Sequence, residues 1–74
     1  MQTPTQSPGQ ALRVLREEAG LTARQTALMA GVSESYLSRV ETGSVEASAP
    51  WLGNVAAAIA RALVESAVSG RVAS

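Results

Sequence analysis

Arg39 lies in the stretch GVSESYLSRVETG, Gly31 to Gly43, together with Glu34, Ser35 and Tyr36. At helical spacing these polar side chains fall outward, while Leu37 and Val40, three apart, fall on the opposite side. The chemistry such a set can do is hydrogen bonding. A guanidinium offers a planar fork of donors, a carboxylate only accepts, a serine hydroxyl does both, and a phenol carries its hydroxyl on an aromatic body. Material for catalysis is missing, because the chain has no Cys, His, Asp or Lys. No base stands ready to activate a serine, and neither a disulfide nor a thiolate or imidazole metal site can be assembled. We therefore expect no enzyme, no cofactor and no metal.

The elements that must position these side chains follow from the punctuation of the chain. Ser7-Pro8-Gly9-Gln10 puts a hydroxyl at an N-cap, proline at the first helical position and glutamine three residues after the cap, a capping box. A first helix is predicted from Pro8 to Ala19, stopped by Gly20, with Leu12, Leu15 and Ala19 on one face. Thr22 and Gln25 form a second capping box, so a second helix spans Ala23 to Ala30 and ends at Gly31. Ser33 caps a third helix, Glu34 to Thr42, closed by Gly43, and Val32 is placed to pack on Leu37 as a hydrophobic staple. Pro50 opens a fourth helix predicted to run to about Val68, with Leu52, Val55, Ala56, Ile59 and Leu63 as one apolar stripe. Trp51, Ala57, Ala58, Ala60, Val64 and Val68 leave that helix almost no polar face, and a helix apolar all round needs more than one packed neighbour.

The chain is 74 residues long and 46% hydrophobic, with one Trp, one Tyr and no Phe. This length makes one domain with a modest core, and a core of Leu, Val, Ile, Ala and Met implies packed helices rather than a sheet. The expected organisation is a flexible N-terminal arm over residues 1–7, a helical domain over 8–68 and a flexible tail over 69–74. No stretch offers ~20 uninterrupted apolar residues, and the N-terminus lacks a basic-then-apolar signal pattern, so a cytoplasmic protein without a membrane partner is expected. Six Arg balance six Glu, for a net charge of zero. Charge alone therefore gives no reason to expect a polyanionic partner, and any such assignment rests on local geometry.

Two short helices joined by a tight glycine turn are the layout of a helix-turn-helix. The chain closely resembles the lambda-repressor-like (XRE/Cro-type) helix-turn-helix family over about residues 8 to 63. The residues that carry the resemblance are LRVLREEAGLT (Leu12 to Thr22), then Ala27, Gly31, Val32, Ser33, Tyr36, Leu37, Ser38, Val40, Glu41 and Gly43. It implies an all-α, compact four-helix domain in which the third helix is the recognition helix, with the fourth helix extended in place of the family's fifth. Ala27 is then small because the third helix crosses the second at close range, and Arg16 and Glu41 correspond to an ion pair tying the first helix to the end of the third. The sequence departs from the family at Ala23, where glutamine is frequent, at Thr26, where an apolar residue is usual, and at Leu28 and Met29, where polar ones are usual.

By the same resemblance Glu34, Ser35 and Arg39 face the bases of double-stranded DNA in a major groove, with Tyr36 at the edge. Arg39 is the strongest base contact, since its fork matches guanine O6 and N7, whereas Glu34 accepts from cytosine and Ser35 specifies little. Backbone phosphates fall to the start of the second helix and to Thr22, Arg24, Gln25, Tyr36, Thr42 and Ser44, with the Thr22 backbone N–H a further donor. The implied function is a bacterial or phage transcriptional regulator of repressor type, acting as a dimer because a single domain makes few base contacts. The second apolar face of the fourth helix, Trp51, Ala58, Ala62 and Val64, is the expected dimer interface. The competing reading is a protein-interaction module, such as an antirepressor, an antitoxin or a complex subunit, that meets its partner through Leu28 and Met29.

Overall fold

The computed structural model describes residues 7–73, with side chains through Ser69. Most of the expected N-terminal arm, residues 1–6, and Ser74 lie outside the described residues. Four helices follow in order: α1 (Pro8–Glu18), α2 (Ala23–Ala30), α3 (Glu34–Thr42) and α4 (Ala49–Ala73), with no strand among the described residues. The all-α, four-helix class is the one expected.

Both capping boxes form. In α1 the Gln10 backbone N–H donates to Ser7 Oγ at 3.2 Å, and the Ser7 N–H donates back to Gln10 Oε1 at 3.0 Å. The fourth helix starts one residue earlier than its proline suggested. Ser48 caps it, its Oγ accepting from the Trp51 N–H at 3.3 Å, with Pro50 at the second helical position. Its far end also differs, because α4 continues through Ala73 rather than ending at Val68, so residues 69–73 are helical where a tail was expected. Residues 69–73 are Ser-Gly-Arg-Val-Ala, with no proline to break the hydrogen-bond ladder, so the helix begun upstream runs on past the body of the domain.

Leu12, Ala27, Leu37, Val55 and Ile59 form the core, with Val32, Trp51, Leu52 and Ala56 packed around it. Complete burial of a Leu or Ile such as Leu37 or Ile59 contributes about 1.5–3 kcal/mol each. The stripe on α4 is covered through Ile59 but not beyond, since Leu63 is exposed. Leu15, expected inside with Leu12, is also exposed. Helix α1 packs on α3 and α4, and α2 packs on the same two helices, which leaves the outer side of α4 without a neighbour among the described residues. The window Ala49–Ser69 of this helix has a mean hydropathy of 1.2, long and apolar enough to cross a membrane by composition alone. Arg61 and Glu65 interrupt it, and Val55, Ala58 and Ile59 within it belong to the buried interior.

Two contacts hold the last turn of α3 against α1. At the first, Gly9 is buried so closely under α3 that a Cβ there would collide with the Val40 carbonyl oxygen. At the second, Arg16 forms a two-point fork on Glu41, Nε to Oε2 at 2.8 Å and Nη2 to Oε1 at 2.9 Å. The remaining Arg16 nitrogen, Nη1, donates to the Leu21 carbonyl at 2.8 Å, so the same side chain also fixes the α1–α2 turn. The hydrogen bond to Glu41 holds the Arg16 guanidinium above its ordinary pKa against the opposing effect of burial. A raised value contributes stability below the unfolded pKa and loses it only as pH rises through the folded one. For Arg16 that loss falls in strongly alkaline solution.

These contacts set two stability tests. Gly9→Ala should destabilise the domain by about 1–3 kcal/mol through overpacking. Gly53→Ala, at an α4 position where a Cβ meets nothing within 4 Å, should instead stabilise it by about 0.5–1 kcal/mol. Glu41→Ala leaves the Arg16 charge buried and unpaired and should cost about 3–5 kcal/mol. Urea denaturation of the three variants checks all the signs.

Candidate nucleic-acid interface

The turn between α2 and α3 depends on Gly31, which adopts φ 70° and ψ 35°, the left-handed region that a Cβ disfavours. From there the Val32 N–H reaches back to the Ala27 carbonyl at 2.9 Å, closing α2. Ala27 is buried at this crossing, so a small side chain lets α3 approach. Ser33 then starts α3, its Oγ accepting from the Tyr36 N–H at 3.2 Å. At the other end Gly43, at φ 85°, turns the chain so that the Ser44 N–H donates to the Arg39 carbonyl at 2.9 Å. Thr26, the polar residue at a usually apolar position, is buried without cost because its hydroxyl donates to the Thr22 carbonyl at 3.0 Å.

Helix α3 is thereby held with Leu37, Val40 and Glu41 inside and Glu34, Ser35, Ser38, Arg39 and Thr42 outside. The Arg39 side chain is exposed, and its guanidinium has no ion-pair partner among the described residues. Glu34 is exposed in the first turn, where the positive end of the helix dipole favours it. Ser38 is given no DNA contact by the sequence, yet it lies four residues from Glu34 and three from Ser35 on this same exposed face. Its spacing was the available signal.

Several candidate side chains are already engaged. The Thr22 backbone N–H donates to Gln25 Oε1 at 2.8 Å, and Thr22 Oγ1 accepts from the Gln25 N–H at 3.0 Å. The Thr22 N–H, expected as a further donor, is therefore engaged by the capping box. The open donors at this helix end are the N–H groups of Ala23 and Arg24, which have no partner within a helix, with the Arg24 side chain exposed beside them. Thr42 Oγ1 donates to the Arg39 carbonyl at 3.1 Å and lies 3.0 Å from Ser44 Oγ. With the Thr42 hydrogen so used, Ser44 donates to Thr42, and both hydroxyls serve the end of α3.

Tyr36 is half-buried, its ring edge-on to Trp51 with centroids 5.1 Å apart and planes at 78°. This pair joins α3 to the start of α4, and it corrects the expectation for Trp51 only so far as part of its ring packs within the chain. Ala58 is corrected likewise, since it is 1% exposed and lies inside the domain. Ala62 is half-buried, and of the expected interface set Val64 is the one fully presented outward, at 62% exposure.

An all-helical fold with a glycine turn, a capped exposed helix and open donors beside it is a helix-turn-helix. A family model described as a helix-turn-helix domain matches residues 9–67, and the chain belongs to that family. It is accordingly of the DNA-binding regulator class in general, a family typically without enzymatic activity, in agreement with the lambda-repressor-like resemblance. No curated protein and no solved structure matches the chain.

The turn gives the test for this site. Gly31→Ala forces a Cβ into the left-handed region and should cost about 1–2 kcal/mol. Gly31→Asn should recover much of the loss, because asparagine tolerates this conformation. Thermal denaturation followed by circular dichroism compares the two.

Proposed function

We propose that the protein is a sequence-specific regulator of transcription, of bacterial or phage repressor type, that binds double-stranded DNA as a dimer with α3 in the major groove. The observation that carries this reading is the free Arg39 fork on an exposed face of α3, beside the open N–H groups at the start of α2. In that pose Arg39 takes a guanine edge, with Glu34 and Ser35 beside it and Ser38 one turn along. Ala23 and Arg24 N–H groups and the Arg24 side chain hold a phosphate at the start of α2. The Gln25 amide nitrogen, the Thr22 hydroxyl hydrogen and the Tyr36 hydroxyl complete that backbone set. Thr42 and Ser44 join it only by exchanging a hydrogen bond within the α3 cap. A protein that works on DNA in this way is cytoplasmic.

A second reading, a module that binds another protein, draws on one observation. Leu28 and Met29 are 74% and 42% exposed on α2, large apolar surface that a DNA-binding role does not use.

Fluorescence anisotropy against genomic fragments at two salt concentrations separates the readings. With few cationic side chains at the surface, log K should fall with log salt at about −0.9 per phosphate contacted, far shallower than a slope of about −10. Arg39→Ala should cost about 1–3 kcal/mol at the preferred base pair and relax selection there, with helix content unchanged. An equal loss on every sequence would make Arg39 a phosphate contact. No binding to any fragment would favour the protein-interaction reading.

A further inference from the structure

The bonds that close α2 leave one group over. The Gly31 and Val32 N–H groups return to the Leu28 and Ala27 carbonyls at 3.3 and 2.9 Å. The Ala30 carbonyl, the last of the helix, instead accepts from Asn54 Nδ2 of α4 at 2.9 Å. Among the described residues this is the only side-chain hydrogen bond between α4 and another helix. Trp51 stands three residues before Asn54, on the same side of α4, where its ring meets Tyr36 edge-on. Ala30 lies just before the glycine turn, and Tyr36 lies in the first turn of α3 after it. Helix α4 therefore holds the helix-turn-helix on both sides of its turn. Buried Ala58, one turn beyond Asn54, is small enough to let α4 come close.

The burial of Val55 and Ile59 does not by itself fix a direction, because the hydrophobic effect is non-directional. A hydrogen bond does, since it weakens steeply as its angle closes. Asn54 is exposed, so water can replace either partner and the bond adds little to net stability. What it adds is orientation.

We infer that Asn54 is a positioning residue for α3: by holding the Ala30 carbonyl while Trp51 holds Tyr36, it sets the angle at which Arg24 on α2 and Arg39 on α3 reach one duplex together. The inference rests on the DNA-binding reading above and assigns part of its specificity to a residue outside the presented face. Helix α2 has eight residues, so Asn54 meets it about 10 Å from the open N–H groups of Ala23 and Arg24. Asn54 thus acts through the turn and not on the phosphate those groups hold. A wrong angle satisfies the phosphate contact or the base contact, and sequence-specific binding needs both. Non-specific binding follows charge, and Asn54 carries none.

Fluorescence anisotropy on wild type, Asn54→Ala and Asn54→Leu tests this role, at a temperature where circular dichroism shows all three folded. The probes are the tightest-binding genomic fragment and an unrelated duplex of the same length. Both substitutions remove the donor without adding charge, and leucine keeps nearly the same shape. Each should weaken binding to the fragment by about two- to tenfold, the worth of one net hydrogen bond, and leave the unrelated duplex unchanged. Trp51 is the single tryptophan, so its emission reports the other half of the clamp. In both variants it should move to longer wavelength as Tyr36 loosens from the ring. Wild-type affinity for the fragment, an equal loss on both duplexes, or unmoved Trp51 emission would each overturn the assignment. A wild type that binds no fragment removes the DNA-binding reading instead, and the emission then decides by itself whether Asn54 seats α3.

Discussion

Arg16 is the point at which the fold is tied together. Its guanidinium spends two nitrogens on Glu41, at the end of α3, and the third on the Leu21 carbonyl in the α1–α2 turn. One side chain thus ties α1 to the turn that follows it and to the end of α3, 25 residues further on. A buried ion pair of this kind repays its desolvation only when its geometry is complete, so it acts more on orientation than on net stability. Here orientation is the requirement. A helix of nine residues has little stability of its own, and its outward face is useful only if the inward face cannot rotate.

The rest of the domain serves that constraint. Gly9 lets α1 come against the backbone of Val40, Ala27 lets α3 come against α2, and Leu37 and Val40 fill the space between. Local hydrogen bonds at both ends of α3 complete its placement. Together with the capping box of α2, they use up polar groups that looked available: the Thr22 N–H, the Thr42 hydroxyl and the Ser44 hydroxyl all have partners within the domain. The surface left over is small and concentrated, with Arg39 and Arg24 as its cations. A domain with zero net charge must therefore work through a few well-placed donors rather than a broad positive field.

Helix α4 performs two tasks in succession along its length. Its first half is an ordinary core element, carrying Val55, Ala58 and Ile59 into the interior. Its second half runs past the other helices, so Leu63, Val64 and Val68 stay exposed. One helix in this way links the body that holds α3 to an apolar surface left exposed.

Much of this was legible in the sequence because it was local. A serine or threonine cap, with glutamine three residues on in α1 and α2, and a glycine after the last turn write helix ends directly, and α2 and α3 begin and end where their signals lie. The outward α3 residues followed from helical spacing and the pairing of Arg16 with Glu41 from the family resemblance, and the geometry of the ion pair agrees with the latter. What the sequence did not decide was which of several similar residues meet. Trp51 could face a neighbour in the chain or outside it, and only the approach of α3 gave it Tyr36. Alanines 57, 58 and 60 are chemically alike, yet 58 is buried and the others are exposed, because the rotation of α4 is set by where α1 and α2 press on it. Gly9 looked like part of a cap until the crossing of α1 and α3 showed why no side chain fits there. Caps and periodicity depend on neighbours in sequence and can be read along the chain, whereas burial depends on the angle at which distant helices cross, and only packing fixes that.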